Sequence, residues 1–423
     1  MTTHPSEQAV RQEAIRRRLQ GERRCDICRD LGRSLPWFDK WWAEYRRTPT
    51  TDFADRSRAP HTSPQRLPPH VVTSVVALRR ALEAADTLTM RYGLIGHRAI
   101  QNELPRLNVR PVPSLATIQR ILAAHGLTHP QGAAREQACY PWPVAWELNA
   151  IYATDIITRH VRGGTEIVNL HTIDHYSHAV ALTQHLDKTS ATVCAHLLHT
   201  WAILGLPRMH QFDNEGAFCG GHTHARVLGQ VVRLCLFCGI EPIFTPVYDA
   251  KRNYQIETFH SLWVTAFWSR HTFGNLADVQ AEAPRFVRWY HTRYQPPALA
   301  GKTPAQVRRG QPIVRLTTVL RRLIPRGRLP ITAGRIHFMR RVDSAGQIAV
   351  LNEVWLVGQS WSGEYIRATI NTAEQTLTLW DQAEGSATWR LIKTRQFRLK
   401  EPVHDLLPAF CRNRIRWREY WPG

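Results

Sequence analysis

Residues 149–174, NAIYATDIITRHVRGGTEIVNLHTID, decide how the centre of this chain folds. Apolar and β-branched side chains alternate with polar ones on either side of Arg162-Gly163-Gly164, so the stretch reads as a strand, a tight turn and a second strand. SHAVALTQHL at 177–186 continues as a third strand. The spacing then changes. TSATVCAHLLHTWAILG (189–205) predicts a helix capped by Thr189 or Ser190, RMHQFD (208–213) a short strand, and ARVLGQVVRLCLFCG (225–239) a second helix. IEPIFTP (240–246) closes as a strand, and NYQIETFHSLWVTAFWS (253–269) opens a third helix.

Three hairpin-linked strands followed by alternating helices and strands predict an α/β core of RNase H type, with the first and fourth strands adjacent at the sheet centre. The flanks differ. Residues 8–47 read as short helices broken at DLGRS, where a glycine precedes a serine able to cap the next helix, the pattern of a helix-turn-helix. That last helix carries Lys40 and Arg46, basic positions available to phosphate. After a Pro/Ser/Thr/Arg-rich linker a second helical unit spans about 69–127. In its VPSLATIQRILAAHGL, Ser114 is a cap, Leu115, Ile118, Ile121 and Leu122 form an apolar stripe, Arg120 is a candidate DNA contact, and Gly126 is a stop. From about 331 short alternating strands suggest a small antiparallel β-barrel, with Arg335, Arg340, Arg341 and Arg367 on or beside them, and this basic barrel is expected to contact DNA.

The expected fold class is therefore multidomain: all-α helix-turn-helix units, an α/β RNase H-like core and a small C-terminal antiparallel β-barrel. The boundaries fall at 1–62 (helix-turn-helix and linker), 63–135 (second such unit), 136–310 (core) and 311–423 (basic barrel and tail).

Charge follows the same divisions. The chain of 423 residues has a formal net charge of +21. Counted along the sequence, residues 1–135 carry +10, residues 136–300 carry −1 and residues 301–423 carry +12. Two basic flanks around a centre that keeps its carboxylates suggest a gripped polyanion, double-stranded DNA above all. The sequence has no apolar run of membrane-spanning length and no signal-peptide pattern at its start, which predicts a cytoplasmic, nucleoid-associated protein without a membrane partner. Cys25/Cys28 and Cys235/Cys238 have the C-x-x-C spacing of zinc ligands, but both pairs sit within apolar-periodic helical segments, where thiols three apart simply pack.

Within that neutral centre three carboxylates stand out: Asp155 inside the first strand, Asp213 at the end of the fourth, and Glu257 in the first turn of the third helix. The layout brings them together from distant sequence. Unpaired carboxylates in one cleft repel, and a divalent cation relieves the repulsion. Hard oxygen donors suit Mg²⁺ or Mn²⁺, and two such ions roughly 3.5–4 Å apart serve phosphodiester chemistry. Asn214 is placed to orient Asp213 or touch substrate, Lys251 and Arg252 to meet phosphate, while Asp174 reads as structural.

YATDI, TIDHYSH, LPRMHQFDNEGAF, NYQIETFH and YHTRYQPPALAGKTPAQV, in that order, resemble the retroviral-integrase-type catalytic core of bacterial insertion-sequence DDE transposases. The tandem helical units with ADRSRAP between them are similar to the N-terminal arms of the same group, and the resemblance covers residues 10–310. It implies that Asp155, Asp213 and Glu257 are a metal-binding catalytic triad. The implied activity is cleavage of element ends to a 3′-OH and strand transfer into target DNA, by a homo-oligomer, with no covalent enzyme intermediate. The chain departs from that pattern at Glu215 and Tyr254, where the group usually has glycine, and 43 residues separate Asp213 from Glu257. Those departures sustain an alternative, a catalytically silent integrase-like DNA-binding regulator.

Overall fold

The computed structural model describes residues 6–54, 67–85, 91–128, 144–220, 225–246, 254–382 and 388–411. The chain divides into two compact units, Met1–Leu67 and Pro68–Gly423.

The first unit has three helices, α1 (Glu7–Leu19), α2 (Arg24–Asp30) and α3 (Leu35–Arg47). Ser34 starts α3 as expected, its hydroxyl accepting from the Trp37 N–H at 3.4 Å, and Gly32 takes the positive φ of +62° that ends α2. Ala14, Ile27, Cys28 and Phe38 form the small core. Such a core is too thin to hold three helices alone, and Arg11 adds to it by lying 4.2 Å over the Trp41 ring and donating to the Phe53 carbonyl at 2.9 Å.

The second unit opens with α4 (Pro69–Ala84), α5 (His97–Glu103) and α6 (Leu115–Ala124), which pack around Val75, Leu78, Leu82, Ile100, Leu104, Ile118 and Leu122. Of the expected apolar stripe, Ile118 and Leu122 are buried. There follow β1 (Ile151–His160), β2 (Glu166–Asp174), β3 (Val180–His185), α7 (Ser190–Ile203), β4 (Met209–Phe212), α8 (Gly216–Cys219), α9 (Gln230–Phe237), β5 (Glu241–Phe244), α10 (Tyr254–Ala266), α11 (Leu276–Thr292), α12 (Pro304–Arg308) and α13 (Thr318–Arg322). Strands β6 (Ile331–Thr332), β7 (Arg335–Arg341), β8 (Gln347–Val350), β9 (Glu353–Leu356), β10 (Tyr365–Asn371), β11 (Thr376–Gln382) and β12 (Trp389–Gln396) complete the principal elements.

β1 lies between β2, its antiparallel hairpin partner, and β4, its parallel neighbour, which is the placement that brings the two aspartates side by side. The turn between β1 and β2 uses Gly163 and Gly164 at φ +95° and +86°, a region open to glycine. Asp174, at the end of β2, is fully buried and paired with Arg308 of α12 at 3.1 Å, the structural use expected of it.

The expected C-terminal barrel does not form. Instead β7 pairs in parallel with β5, and β10, β11 and β12 continue outward, giving one open nine-stranded sheet in the order β12-β11-β10-β7-β5-β4-β1-β2-β3. The physical reason lies in what β7 carries. Ile336 and Phe338 enter the same apolar cluster as Phe212, Phe244 and Trp201, and the Phe244 and Phe338 rings stack at 5.1 Å. On the opposite parity Arg335 donates to both carboxylate oxygens of Glu241 while His337 contacts Glu241 at 3.2 Å. A buried charge is tolerated only when paired, so Glu241 on β5 accepts β7 in one register and penalises slips.

The same geometry takes most of the arginines named on these strands away from any DNA-binding surface. Arg335, Arg340 and Arg367 are buried, and Arg367 lies 4.2 Å over the Trp389 ring. Arg341 is exposed and donates to the Gly363 carbonyl at 3.0 Å. The exposed basic side chains Arg390, Arg395, Arg398 and Lys400 lie instead on or just after the edge strand β12. Among the described residues no helix is long and apolar enough to cross a membrane.

Candidate active site

Asp155 and Asp213 reach one place because their strands are parallel neighbours. The last paired residues are Ala153 and Gln211, and each aspartate sits two positions further on, so the pleat gives both the same face. On that face lies α10, which brings Glu257 in its first turn and His260 one turn later. His260 Nδ1 is 3.8 Å from Asp155 Oδ2. The pair is not ionic. Burial, with the charge of Arg159 behind it, pushes His260 down to about 4, while burial pushes the Asp155 carboxyl up to about 7.

The charges that Asp155 feels report its surroundings. After burial, the negative charges of Asp213, Glu257 and Glu215 raise it further, and the hydrogen bond from the Ile156 N–H, at 2.8 Å, opposes them. Asp213 is raised by burial and by Glu215, and lowered by the Glu215 N–H at 2.9 Å and by Lys188. Glu257 is raised by burial alone. The sequence-predicted carboxylates are thus within one electrostatic neighbourhood, and each favours its protonated form more than it would in water.

Glu215, one of the departures, is a fourth carboxylate here, and it is tied to Lys188 in a contact that neutralises it. Tyr254, the other, is exposed at the start of α10. Asn214 is engaged on both sides of its amide: its Nδ2 donates to the Thr245 carbonyl at 2.5 Å, and its Oδ1 accepts from Arg340 at 2.9 Å. Lys251 and Arg252 lie outside the described residues. Lys40 and Arg46 are exposed on α3, Lys40 with its ammonium 5.0 Å from the Trp41 ring centre. Arg120 is exposed on α6, folded back to Thr117 Oγ1 at 3.2 Å.

Sequence reasoning gave no site role to Lys188, His260 or Arg340, although Arg340 was named on the C-terminal strands. The signal for His260 was its position three after Glu257, which puts both on one side of the helix. Lys188 stands in the loop between β3 and α7, with no spacing rule to link it to Glu215. Arg340 could not be assigned without knowing that β7 joins β5.

The donor chemistry fits magnesium or manganese: hard carboxylate oxygens, each pushed toward its protonated form first by burial and, for Asp155 and Asp213, by neighbouring negative charge as well. Among the described residues, however, no group of three His, Cys, Asp or Glu side chains is arranged to hold an ion. The carboxylates are neighbours rather than a closed coordination sphere.

No protein-family model matches the chain, and no curated protein sequence matches it either. Some solved structures are similar to it at low identity. Retroviral integrase structures are among them. The catalytic core domain of HTLV-2 integrase in complex with magnesium shares 17% identity at a TM-score of 0.30, covering 38% of this chain and 97% of that one. A simian T-cell lymphotropic virus intasome in complex with PP2A regulatory subunit B56 gamma shares 16% at 0.35, covering 72% and 96%. The catalytic core domain of BIV integrase shares 15% at 0.29, covering 38% and 93%. At these TM-scores the likeness assigns no residue a role.

Proposed function

We propose that this protein is a metal-dependent polynucleotidyl transferase, a DNA transposase or integrase that cleaves the ends of a mobile element and joins them to target DNA. The observation that carries the reading is the placement of Asp155 within β1 and of Asp213 just past the end of its parallel neighbour β4, each two residues beyond the paired Ala153 and Gln211, with Asp155 sensing both Asp213 and Glu257. In a chain of net charge +21, an acidic neighbourhood at a sheet end is useful when it must take a cation.

In this reading Asp155, Asp213 and Glu257 hold the metal, and Asn214 orients the turn that carries Asp213. When bound, a pair of magnesium or manganese ions supplies activation of the attacking hydroxyl and stabilisation of the leaving 3′ oxygen. Lys188 is free to exchange Glu215 for a phosphate oxygen, since its side chain is 54% exposed. The α1–α3 and α4–α6 units, with Lys40, Arg46 and Arg120, bind duplex DNA as helix-turn-helix arms, and Lys251 and Arg252 contact phosphate near Glu257. The protein works as a homo-oligomer on DNA.

The second reading, a silent DNA-binding regulator, is favoured by the lack of a ready-made ion site among the described residues. One experiment separates the two. Purified protein and its Asp213→Asn variant are incubated with Mn²⁺ and a labelled duplex from the DNA flanking the gene. The transposase reading expects a nick exposing a 3′-OH with wild type alone. Sequence-selective binding by both proteins with no nick from either, in Mg²⁺ as well, overturns it in favour of the regulator.

A further inference from the structure

We infer that Arg340, a residue of the C-terminal strand β7, is a positioning residue for the active site, locking the Asp213-Asn214 turn against the end of β5. The inference rests on the transferase reading above. It adds that the C-terminal sheet extension is part of the catalytic machinery rather than an appended DNA-binding module.

Four hydrogen bonds define the arrangement. Arg340 Nη2 donates to Asn214 Oδ1 at 2.9 Å, Nη1 to the Thr245 carbonyl at 3.0 Å and to the Met339 carbonyl at 2.8 Å, and Nε to the Ala349 carbonyl at 2.9 Å. Asn214 itself donates to the same Thr245 carbonyl, and the Thr245 N–H returns to the Phe212 carbonyl at 3.0 Å. The residues after β4, after β5 and within β7 are therefore joined through one guanidinium. Its flat face is seated over the Phe338 ring at 5.1 Å, and that ring stacks on Phe244 of β5.

Three features make this more than packing. Every hydrogen-bond acceptor around Arg340 is a neutral amide or carbonyl, so the side chain is held by direction rather than by an opposite charge. Lysine cannot reproduce it, because three of its donors would have to reach acceptors spread over four segments. The acceptor that ends the chain of bonds, Asn214, is the residue beside Asp213, whose carboxyl also caps the Glu215 N–H of the same turn. A turn that is fixed from below keeps Asp213 on the β4 side of the cleft, opposite Asp155, whether or not a cation is present. Partners of this kind, one bond removed from a ligand, typically change metal affinity or activity by about 10–100-fold when removed.

The test is a cycle of Arg340→Met, Asn214→Ala and the double variant in the full chain, with Arg341→Met as an exposed neighbour control. The readouts are Mn²⁺ binding by calorimetry, nicking rate as a function of Mn²⁺, duplex affinity, and Tm. If Arg340 acts through Asn214, each single variant weakens Mn²⁺ binding and raises the Mn²⁺ concentration for half-maximal nicking by about 10–100-fold. The double variant then loses no more than either single, while duplex affinity stays within about twofold of wild type and Arg341→Met matches wild type. Asn214→Ala keeps the test intact if Arg340→Met does not fold, since its side chain lies on the turn and outside the core. Additive losses, or wild-type Mn²⁺ dependence in a folded Asn214→Ala or Arg340→Met protein, overturn the inference. If wild type neither binds Mn²⁺ nor nicks, the transferase reading has failed instead, and this inference falls with it.

Discussion

Replacing Asp155 by Asn should stabilise the ion-free protein at high pH, an unusual result for changing a buried residue. Burial and the charges of Asp213, Glu257 and Glu215 raise its carboxyl from 3.8 to about 7. A shift of about 3 units at 1.36 kcal/mol each sets the ionisation penalty at about 4 kcal/mol. The side chain is 21% exposed and its carboxylate neighbours relax with it, so the measurable effect should be about 1–3 kcal/mol. The sign follows from proton counting. Between the unfolded value and about 7 the folded protein keeps a proton that the unfolded chain has lost, so stability falls as pH rises through that window and levels off above it. Asn is neutral throughout and keeps the acceptor for the Ile156 N–H. Urea unfolding in chelator should therefore show Asp155→Asn more stable than wild type at pH 8, with the gap reduced by roughly half or more at pH 5. Mn²⁺ at pH 8 should stabilise wild type more than the variant. A variant less stable than wild type at pH 8, or a gap that ignores pH, would refute the electrostatic account of the site.

Three other outcomes follow from the same structure. Glu241→Leu leaves Arg335 and His337 buried without their carboxylate, and should cost about 3–5 kcal/mol in urea unfolding; a loss below about 1 kcal/mol would show that the β5–β7 junction does not depend on the pair. Lys188→Ala removes the charge that lowers Asp213 and unmasks Glu215, so the acid limb of the Mn²⁺-dependent nicking profile should move to higher pH; a shift to lower pH would contradict it. Arg395→Glu with Arg398→Glu, both exposed beside the edge strand, should weaken binding to all duplexes alike and shallow the salt dependence, by a log–log slope of about 0.9 for each phosphate no longer neutralised, whereas Arg367→Met should lower Tm with the salt slope unchanged.

The centre of the fold was legible because its signals are local. Alternation gave β1, β2 and β3, the Gly163-Gly164 turn gave the hairpin, and Ser34, Ser114 and Thr189 marked helix starts that their hydroxyls do cap. The meeting of Asp155, Asp213 and Glu257 followed from topology, because parallel neighbours in an α/β sheet present their strand ends together. What failed was partner choice. Alternating strands after residue 331 say that a sheet forms, not what it pairs with, and a barrel and a sheet extension share one pattern.

The decision between those two lies in residues that look surface-bound in a linear text. Arg335 and Arg340 on β7 read as basic residues of a free barrel, and a basic barrel in a basic flank suggests DNA. In the structure each polar group finds its partner on the core: Glu241 for Arg335 and His337, Asn214 and Thr245 for Arg340. Glu241 is the informative residue, because an acid at the head of an otherwise apolar, fully buried strand requires a cation from outside the core sequence. The nearest unused cations in alternating-strand context were those of β7. Matching buried acids of one segment to arginines of the next would have replaced a free-standing barrel by a continuous sheet, and with it moved β7 from a basic surface to the buried neighbour of β5.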